Sequence, residues 1–439
     1  MQIDNIRISN YKSISQLEMS TKRINVITGR NNSGKTSLLE SVDLAFNPGN
    51  VENYGGNISD LIQANKKAAN LNVGYSERQK SIEDFAGEMS NRDRNIKIRR
   101  PEEDELASAF FEMLYKIVGM NESYPIRLNQ DLHDYVRSTE TSESLHDQIE
   151  NILLDTISEI PEDYIISKIR GNCVILEIAN ETYPRIYFGE DYSEIRAEIE
   201  IQAVDQYLSQ YLKPADIDAD GLSRMRENLK SNFHRLLAPR FARGRFVGPS
   251  PESLPGVVFL KRPNNIKDRV DMGRDNSAVI VDNIEEYLKE NDIAEGLSDF
   301  SFNKLVFDAD PRKEEIPYDF MGDGFKSIVG VLWEVLSEET RNNVLLLEEP
   351  GIHMHPGYIN NLISQLIKVS EDKDIQLFMT THSSDLIDSF FSNPIQEEWY
   401  DYLEEHFQLI QMTDPISQSF DYTEADETLT DLHLDLRGI

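Results

Sequence analysis

The sequence predicts an α/β fold in which a mixed, largely parallel sheet is organised around a glycine-rich loop and interrupted by a mainly helical insertion. Three observations predict it. An apolar run stops at a glycine loop and gives way to a helix between residues 23 and 46. Short apolar strands alternate tightly with helices beyond residue 300. Between these two regions the spacing is helical, with one β-rich island.

The elements follow in order. Ile3, Ile6 and Ile8, then Ile24, Val26 and Ile27, give residues 2–9 and 23–28 the β-branched character of strands, and the second run ends at Gly29. Lys35 to Phe46 reads as a helix stopped by NPGN. ELASAFFEMLYKIVGM places Leu106, Phe110, Leu114 and Ile117 on one helical face, and SLHDQIENILLDTISEI does the same with Leu145, Ile149, Ile152 and Leu153. CVILEIANETYPRIYF, 173–188, reads as two strands, after which AEIEIQAVDQYLSQYL and LSRMRENLKSNFHRLL return to helical spacing. No heptad pattern persists long enough for extended coiled-coil arms.

Further on, MGDGFKSIVGVLWEVL is a glycine turn feeding an apolar helix, VLLLEEP a short buried strand, PGYINNLISQLIKVS a helix with Pro356 in its first turn, and IQLFMTTHSS another buried strand. The expected organisation is a split domain of residues 1–48 and 241–439, with 49–240 as the insertion.

Bulk properties narrow the function. With 439 residues the chain can bury a sizeable core. Its opening lacks the basic start and apolar run of a signal peptide, and no stretch approaches the roughly 18 apolar residues of a membrane span. A single cysteine, Cys173, excludes an internal disulfide and any cysteine-based zinc site, so the cytosol is the expected compartment. Lys plus Arg number 44 against 78 Asp plus Glu, a formal net charge of -34. A field of that sign repels nucleic acid, so DNA or RNA contact would rest on local basic clusters. Two candidates are Arg92, Arg94, Lys97, Arg99 and Arg100, and a run from Arg235 through Arg240, Arg243 and Arg245 to Lys261 and Arg262. Solvated surface charge is the alternative reading of both.

Residues Gly29-Arg30-Asn31-Asn32-Ser33-Gly34-Lys35-Thr36 fit GxxxxGK[ST] in full, after a strand and at a helix start, and Ser37 continues the set. In this pattern glycines let backbone N–H groups converge on phosphates, and the helix N-terminus adds its positive end. Lys35 would reach the β and γ oxygens, and Thr36 would ligate Mg²⁺. Hydrolysis of a nucleotide also needs a carboxylate for the metal and a group that orients water. Glu348 and Glu349 end the strand Val344 to Leu347, the first suited to Mg²⁺ through its water shell and the second to polarising the nucleophile. A second strand end carries Thr381 and His382, and His382 could hydrogen-bond the γ-phosphate.

Together GRNNSGKT, MGDGFKSIVGVL, VLLLEEPGIHMHP and MTTHSSDLID resemble the Walker A, signature, Walker B with D-loop, and H-loop segments of ABC-type ATPases. Within that class they resemble the branch containing SMC, RecF and the OLD (overcoming lysogenization defect) nucleases, and the NNSGKT loop and LEEPxxHxHP run are most similar to the OLD-like ATPases. The resemblance implies a P-loop NTPase head that works as a dimer with two ATP molecules sandwiched between copies. Gly322, Asp323 and Gly324 of one head would then meet the γ-phosphate held by the other. MGDG stands where the family has LSGGQ, and Glu348 where it has Asp.

Other patterns have duller alternatives. Asp216, Asp218, Asp220 and Glu227 match a Ca²⁺ loop, but Pro214 precedes it and an acidic cap on the next helix competes. His353 and His355 would be a structural part of the D-loop rather than a metal pair. OLD-like nucleases continue into a Toprim nuclease domain, and TLTDLHLDLRGI resembles the junction where one would begin, so no nuclease activity is expected of these residues themselves. The expectation is therefore an ATP-hydrolysing head, dimeric or higher, controlling a nuclease domain or subunit in DNA repair or phage defence. The alternative is an ATP-gated DNA clamp; a transporter ATPase would need a conventional LSGGQ.

Overall fold

A computed structural model describes residues 1–54, 58–78, 89–120, 144–187, 190–211, 218–237, 246–247, 251–268, 270, 276–291, 293–309, 312–336, 344–352, 354–413 and 417–430. The chain opens with β1 (Gln2–Tyr11), β2 (Ile14–Ser20), β3 (Ile24–Gly29) and α1 (Lys35–Phe46), then β4 (Ala68–Arg78), β5 (Met89–Arg99) and α2 (Glu103–Met120). Next come α3 (Leu145–Glu159), α4 (Glu162–Ile169), β6 (Cys173–Ile178), β7 (Glu181–Tyr187), α5 (Glu190–Tyr211), α6 (Ala219–Leu237) and β8 (Phe246–Val247). The remainder is β9 (Val257–Leu260), α7 (Ser277–Glu290), β10 (Leu297–Phe300), β11 (Lys304–Ala309), β12 (Arg312–Pro317), α8 (Asp323–Leu336), β13 (Val344–Glu348), α9 (Pro356–Asp372), β14 (Gln376–Thr380), α10 (Ser384–Phe390), α11 (Asn393–His406), β15 (Phe407–Met412), β16 (Ser417–Asp421) and α12 (Tyr422–Thr430).

Two compact units emerge: residues 1–50, 63–96 and 252–439 form the first, and 51–62 with 97–251 form the second. The first carries a six-stranded mixed sheet in the order β16-β15-β3-β14-β13-β9. Its β3, β9, β13, β14 and β15 run parallel, and only β16 is antiparallel. The register aligns the carboxyl ends of β3, β13 and β14, with Thr380 beside both Ile27 and Glu348. Parallel strands buried on both faces read as continuous apolar runs, and Leu345, Leu346, Leu347, Leu377, Phe378 and Met379 are almost wholly buried. The carboxyl ends of such strands are where α/β proteins place ligands.

A division at 48 and 240 does not describe these units. Residues 63–96, expected within the insertion, belong to the first unit because β4 pairs antiparallel with β1, and its Ala69, Leu71, Val73 and Tyr75 are buried. The basic segment RDRNIKIRR lies in strand β5 up to Arg99, with Ile96 and Ile98 buried at period two. A small sheet, β10-β11-β12, supplies Phe300 and, from its β10–β11 turn, Phe302, which pack with Tyr318 and with Phe325 and Trp333 of α8.

The second unit has its own core, in which Leu106, Phe110, Leu114 and Ile117 of α2 meet Ile149, Ile152 and Leu153 of α3. The side chain of Leu145 is outside the described residues. Helix α3 begins with a capping box formed by Ser144 and Asp147. Strands β6 and β7 form the hairpin expected at 173–188, with Cys173 opposite Ile186. No helix among the described residues is long and apolar enough to cross a membrane.

Candidate functional site

Strand β3 delivers the candidate phosphate loop. Gly29 has φ 143° and Gly34 φ 98°, conformations open to glycine. A Cβ on Gly29 would lie 2.3 Å from the Met412 carbonyl oxygen, and one on Gly34 2.8 Å from Ile14 Cγ1. Helix α1 starts immediately, with Gly34 as its N-cap and no side chain capping it. Its first N–H groups thus keep the anion-binding character of a helix start. Ser33 Oγ, in the loop, is buried without a hydrogen-bond partner.

Lys35 is buried, and its Nζ donates to the carbonyls of Gly29 at 3.0 Å and Arg30 at 2.9 Å. Burial lowers its pKa, and the nearby Glu349 carboxylate opposes that. Thr36 Oγ1 donates to Glu348 Oε1 at 2.6 Å, so hydroxyl and carboxylate oxygens lie side by side. These are hard oxygen donors of the kind Mg²⁺ takes alongside water and phosphate oxygens. Among the described residues no group of three or more His, Cys, Asp or Glu could hold a metal without such additions.

Glu349 leaves the end of β13 in the left-handed region, φ 48°, and its amide donates to the Thr380 carbonyl at 3.1 Å. A non-glycine residue held there is strained, and such strain concentrates at functional positions. The His382 amide donates to Glu349 Oε2 at 3.2 Å, and His382 Nε2 lies 3.6 Å from Glu349 Oε1. Burial raises the pKa of Glu349; the His382 amide and Lys35 pull it down, and Glu348 adds to the rise. Burial and Lys35 lower the pKa of His382, against a hydrogen bond to the Gly29 backbone. Lys35, Thr36, Glu348, Glu349 and His382 therefore form one cluster at the sheet's carboxyl end.

Gly322, Asp323 and Gly324 form the turn into α8, with Asp323 in the helix's first turn. Nothing lies within 4 Å of a Cβ built on Gly322, and one on Gly324 would sit 3.2 Å from Tyr358 Cβ. Around this turn Phe320 is 81% exposed, Tyr358 54% and Ile352 48%.

Sequence reasoning missed Glu40 and Lys12 beside the cluster and read Lys261 only as part of a basic run. Glu40, buried in α1, accepts hydrogen bonds from Lys12 and, at 3.2 Å, from Lys261. The signal was present in KTSLLESVDLAF: acids inside a helix buried nearly all round must find partners.

Several other candidates are tied up structurally. In the first basic cluster Arg92 pairs with Glu77, Arg94 donates to the Ala45 and Glu252 carbonyls, Lys97 pairs with Glu177, and Arg99 pairs with Glu105 and Glu177. Of the second, Arg240, Arg243 and Arg245 lie outside the described residues. Asp218 accepts from the Gly221 amide at 2.6 Å as a cap on α6, while Asp216 lies outside the described residues. His355 Nδ1 accepts from the Gly357 amide as the N-cap of α9, and His353 lies outside the described residues.

The profile of a family described as an AAA ATPase domain matches residues 1–387. An uncharacterized protein of Methanocaldococcus jannaschii is 33% identical over 79 residues, 18% of this chain and 66% of that protein. The match thus spans just under two thirds of that relative's length. The chain is also similar to the SMC head domain with an extended coiled coil, bound to the C-terminal domain of ScpA, from Pyrococcus furiosus: 13% identity, 99% of this chain, 100% of that chain, TM-score 0.39. The SMC head domain from Thermotoga maritima is 10% identical, with 96% and 99% of the two chains covered and a TM-score of 0.39. At these scores the structural likeness is remote.

Proposed function

The chain belongs to the AAA ATPase domain family, and from that premise we infer that it binds ATP with Mg²⁺ and hydrolyses it in a site completed by a second copy of itself. The observation that carries this reading is the convergence of Lys35 and Thr36 with Glu348, Glu349 and His382, residues more than 300 positions apart.

In this reading the loop amides and Lys35 bind the β- and γ-phosphates, with Lys35 leaving its carbonyl partners for phosphate oxygens. Thr36 and Glu348 would hold Mg²⁺, which when bound neutralises charge on the phosphates. Glu349 is the base that orients water and accepts its proton, and its raised pKa suits that role. His382 fixes the Glu349 carboxylate through its amide and presents its imidazole toward the terminal phosphate.

The second copy would bring its Gly322–Gly324 turn to the γ-phosphate, its exposed Phe320, Ile352 and Tyr358 covering the join. A Glu349→Gln chain with ATP should run as a dimer in light scattering while Lys35→Ala stays monomeric. A Glu349→Gln chain that remains monomeric with saturating ATP would end this part of the reading.

The output we assign is control of a nucleic-acid-processing complex of the OLD-like kind, with a separate nuclease domain or subunit cutting. The clamp reading asks the chain itself to hold DNA through its basic clusters. The internal ion pairs of Arg92, Lys97 and Arg99 favour the first. ATP-dependent DNA retention by the chain alone, without cutting when the neighbouring gene product is added, would favour the clamp.

A further inference from the structure

Glu40 belongs to none of the roles above, yet it is buried on the helix that carries the phosphate loop and binds two ammonium groups. One comes from the β1–β2 turn. Ile14 and Ser13 would touch a Cβ on Gly34, Ser13 Oγ lies 3.5 Å from Ser37 Oγ, and Lys12 meets Glu40. Gly34, Ser37 and Glu40 are spaced by three, so this turn runs along a single face of α1. Its Asn10 and Lys12 both hold positive φ, 56° and 46°, and the seating on α1 keeps that conformation in place.

The second ammonium, from Lys261, is more informative. Leu260 pairs with Leu347, and Lys261 is the residue that follows β9. The segment that follows it packs on the signature helix. A Cβ on Gly330 of α8 would fall 2.1 Å from the Pro263 carbonyl oxygen and 3.4 Å from Ile266 Cβ, an approach only glycine permits. Lys267 binds both carboxylate oxygens of Asp319 at 2.8 Å, three residues before Gly322. Continuous contact therefore runs from the phosphate-loop helix through Glu40 and Lys261, along residues 263–268, into α8 and its glycine turn.

We propose that Glu40 and Lys261 are positioning residues whose ion pair couples occupancy of the phosphate loop to the placement of the Gly322–Gly324 turn in the same copy. The inference rests on the ATP-site reading above. Triphosphate entering the loop shifts the first turns of α1. Glu40 is one helical turn beyond Thr36 and carries that shift to Lys261, and the 263–268 segment packed on Gly330 passes it to α8. A contact that fixes only the fold would be indifferent to nucleotide.

The test is hydrogen exchange of residues 318–330 with and without a non-hydrolysable ATP analogue, at a dilution where light scattering reports one copy. The wild-type chain should gain protection there on binding, Lys261→Arg should retain it, and Lys261→Met should lose it while binding the analogue within about threefold of wild type. Hydrolysis by Lys261→Met should fall about tenfold in kcat with KM unchanged. Equal protection in Lys261→Met and wild type would overturn the coupling while leaving the ATP site standing. A wild-type chain that binds no analogue would overturn both.

Discussion

The phosphate-loop end of the main sheet and the glycine turn of α8 carry the same kind of helix N-terminus, yet they are finished differently. At the first, Lys35 is buried and hydrogen-bonded, Thr36 already meets Glu348, and His382 already meets Glu349. At the second, Gly322 faces open space and three large apolar side chains nearby stand in solvent. The difference teaches what each lacks. In the proposed reading a cluster of satisfied polar groups receives a ligand that replaces internal bonds with stronger ones, whereas an exposed apolar rim receives another surface.

If the first region is the chemical one, the largest effect should come from Glu349. Glu349→Gln keeps the shape and removes the base, so phosphate release should fall by about 10²- to 10⁴-fold with ATP still bound; undiminished turnover in the purified variant would break the comparison at its strongest point. Lys35→Ala removes a charge-assisted contact worth about 1.5–3 kcal/mol, so affinity for a fluorescent ATP analogue should drop roughly 10- to 100-fold. Phe320→Asp tests the other region. ATP-driven dimerisation, followed by sedimentation, should weaken by about tenfold or more, with nucleotide affinity per copy unchanged.

The smallest effect is in the pH profile. Burial raises the pKa of Glu349, so its deprotonated fraction falls as pH drops through a value above the ordinary glutamate range near about 4.3. The acid limb of kcat should therefore lie above that range and vanish in Glu349→Gln. The lowered pKa of His382 keeps its imidazole neutral through neutral pH, so no second loss is expected there.

The phosphate loop, the paired glutamates and His382 were legible because their chemistry is written in short runs at strand ends: Lys35–Phe46 is a helix with the bounds expected of it, and VLLLE and QLFMT are buried parallel strands. What escaped was long-range pairing. Strand β2 and the β4–β5 stretch gave no clear strand signal, since the Arg and Lys of RDRNIKIRR hid the alternation of Ile96 and Ile98, and β4 owes its place to pairing with β1. Likewise Glu40 meets Lys261 across 221 positions, a contact no local spacing encodes. The buried acids of α1 announced that partners existed, without naming them.

The most direct test of the claim that the two regions complete each other across copies is a mixing experiment. Lys35→Ala breaks the loop, and Gly322→Arg enters open space, so it should block the turn without disturbing the fold. Each alone should be inactive, and an equal mixture should recover hydrolysis up to about half of wild type, since only a mixed pair holds an intact composite site and it holds one of two. Full activity of Gly322→Arg alone, or no recovery on mixing chains shown to exchange, would contradict the account.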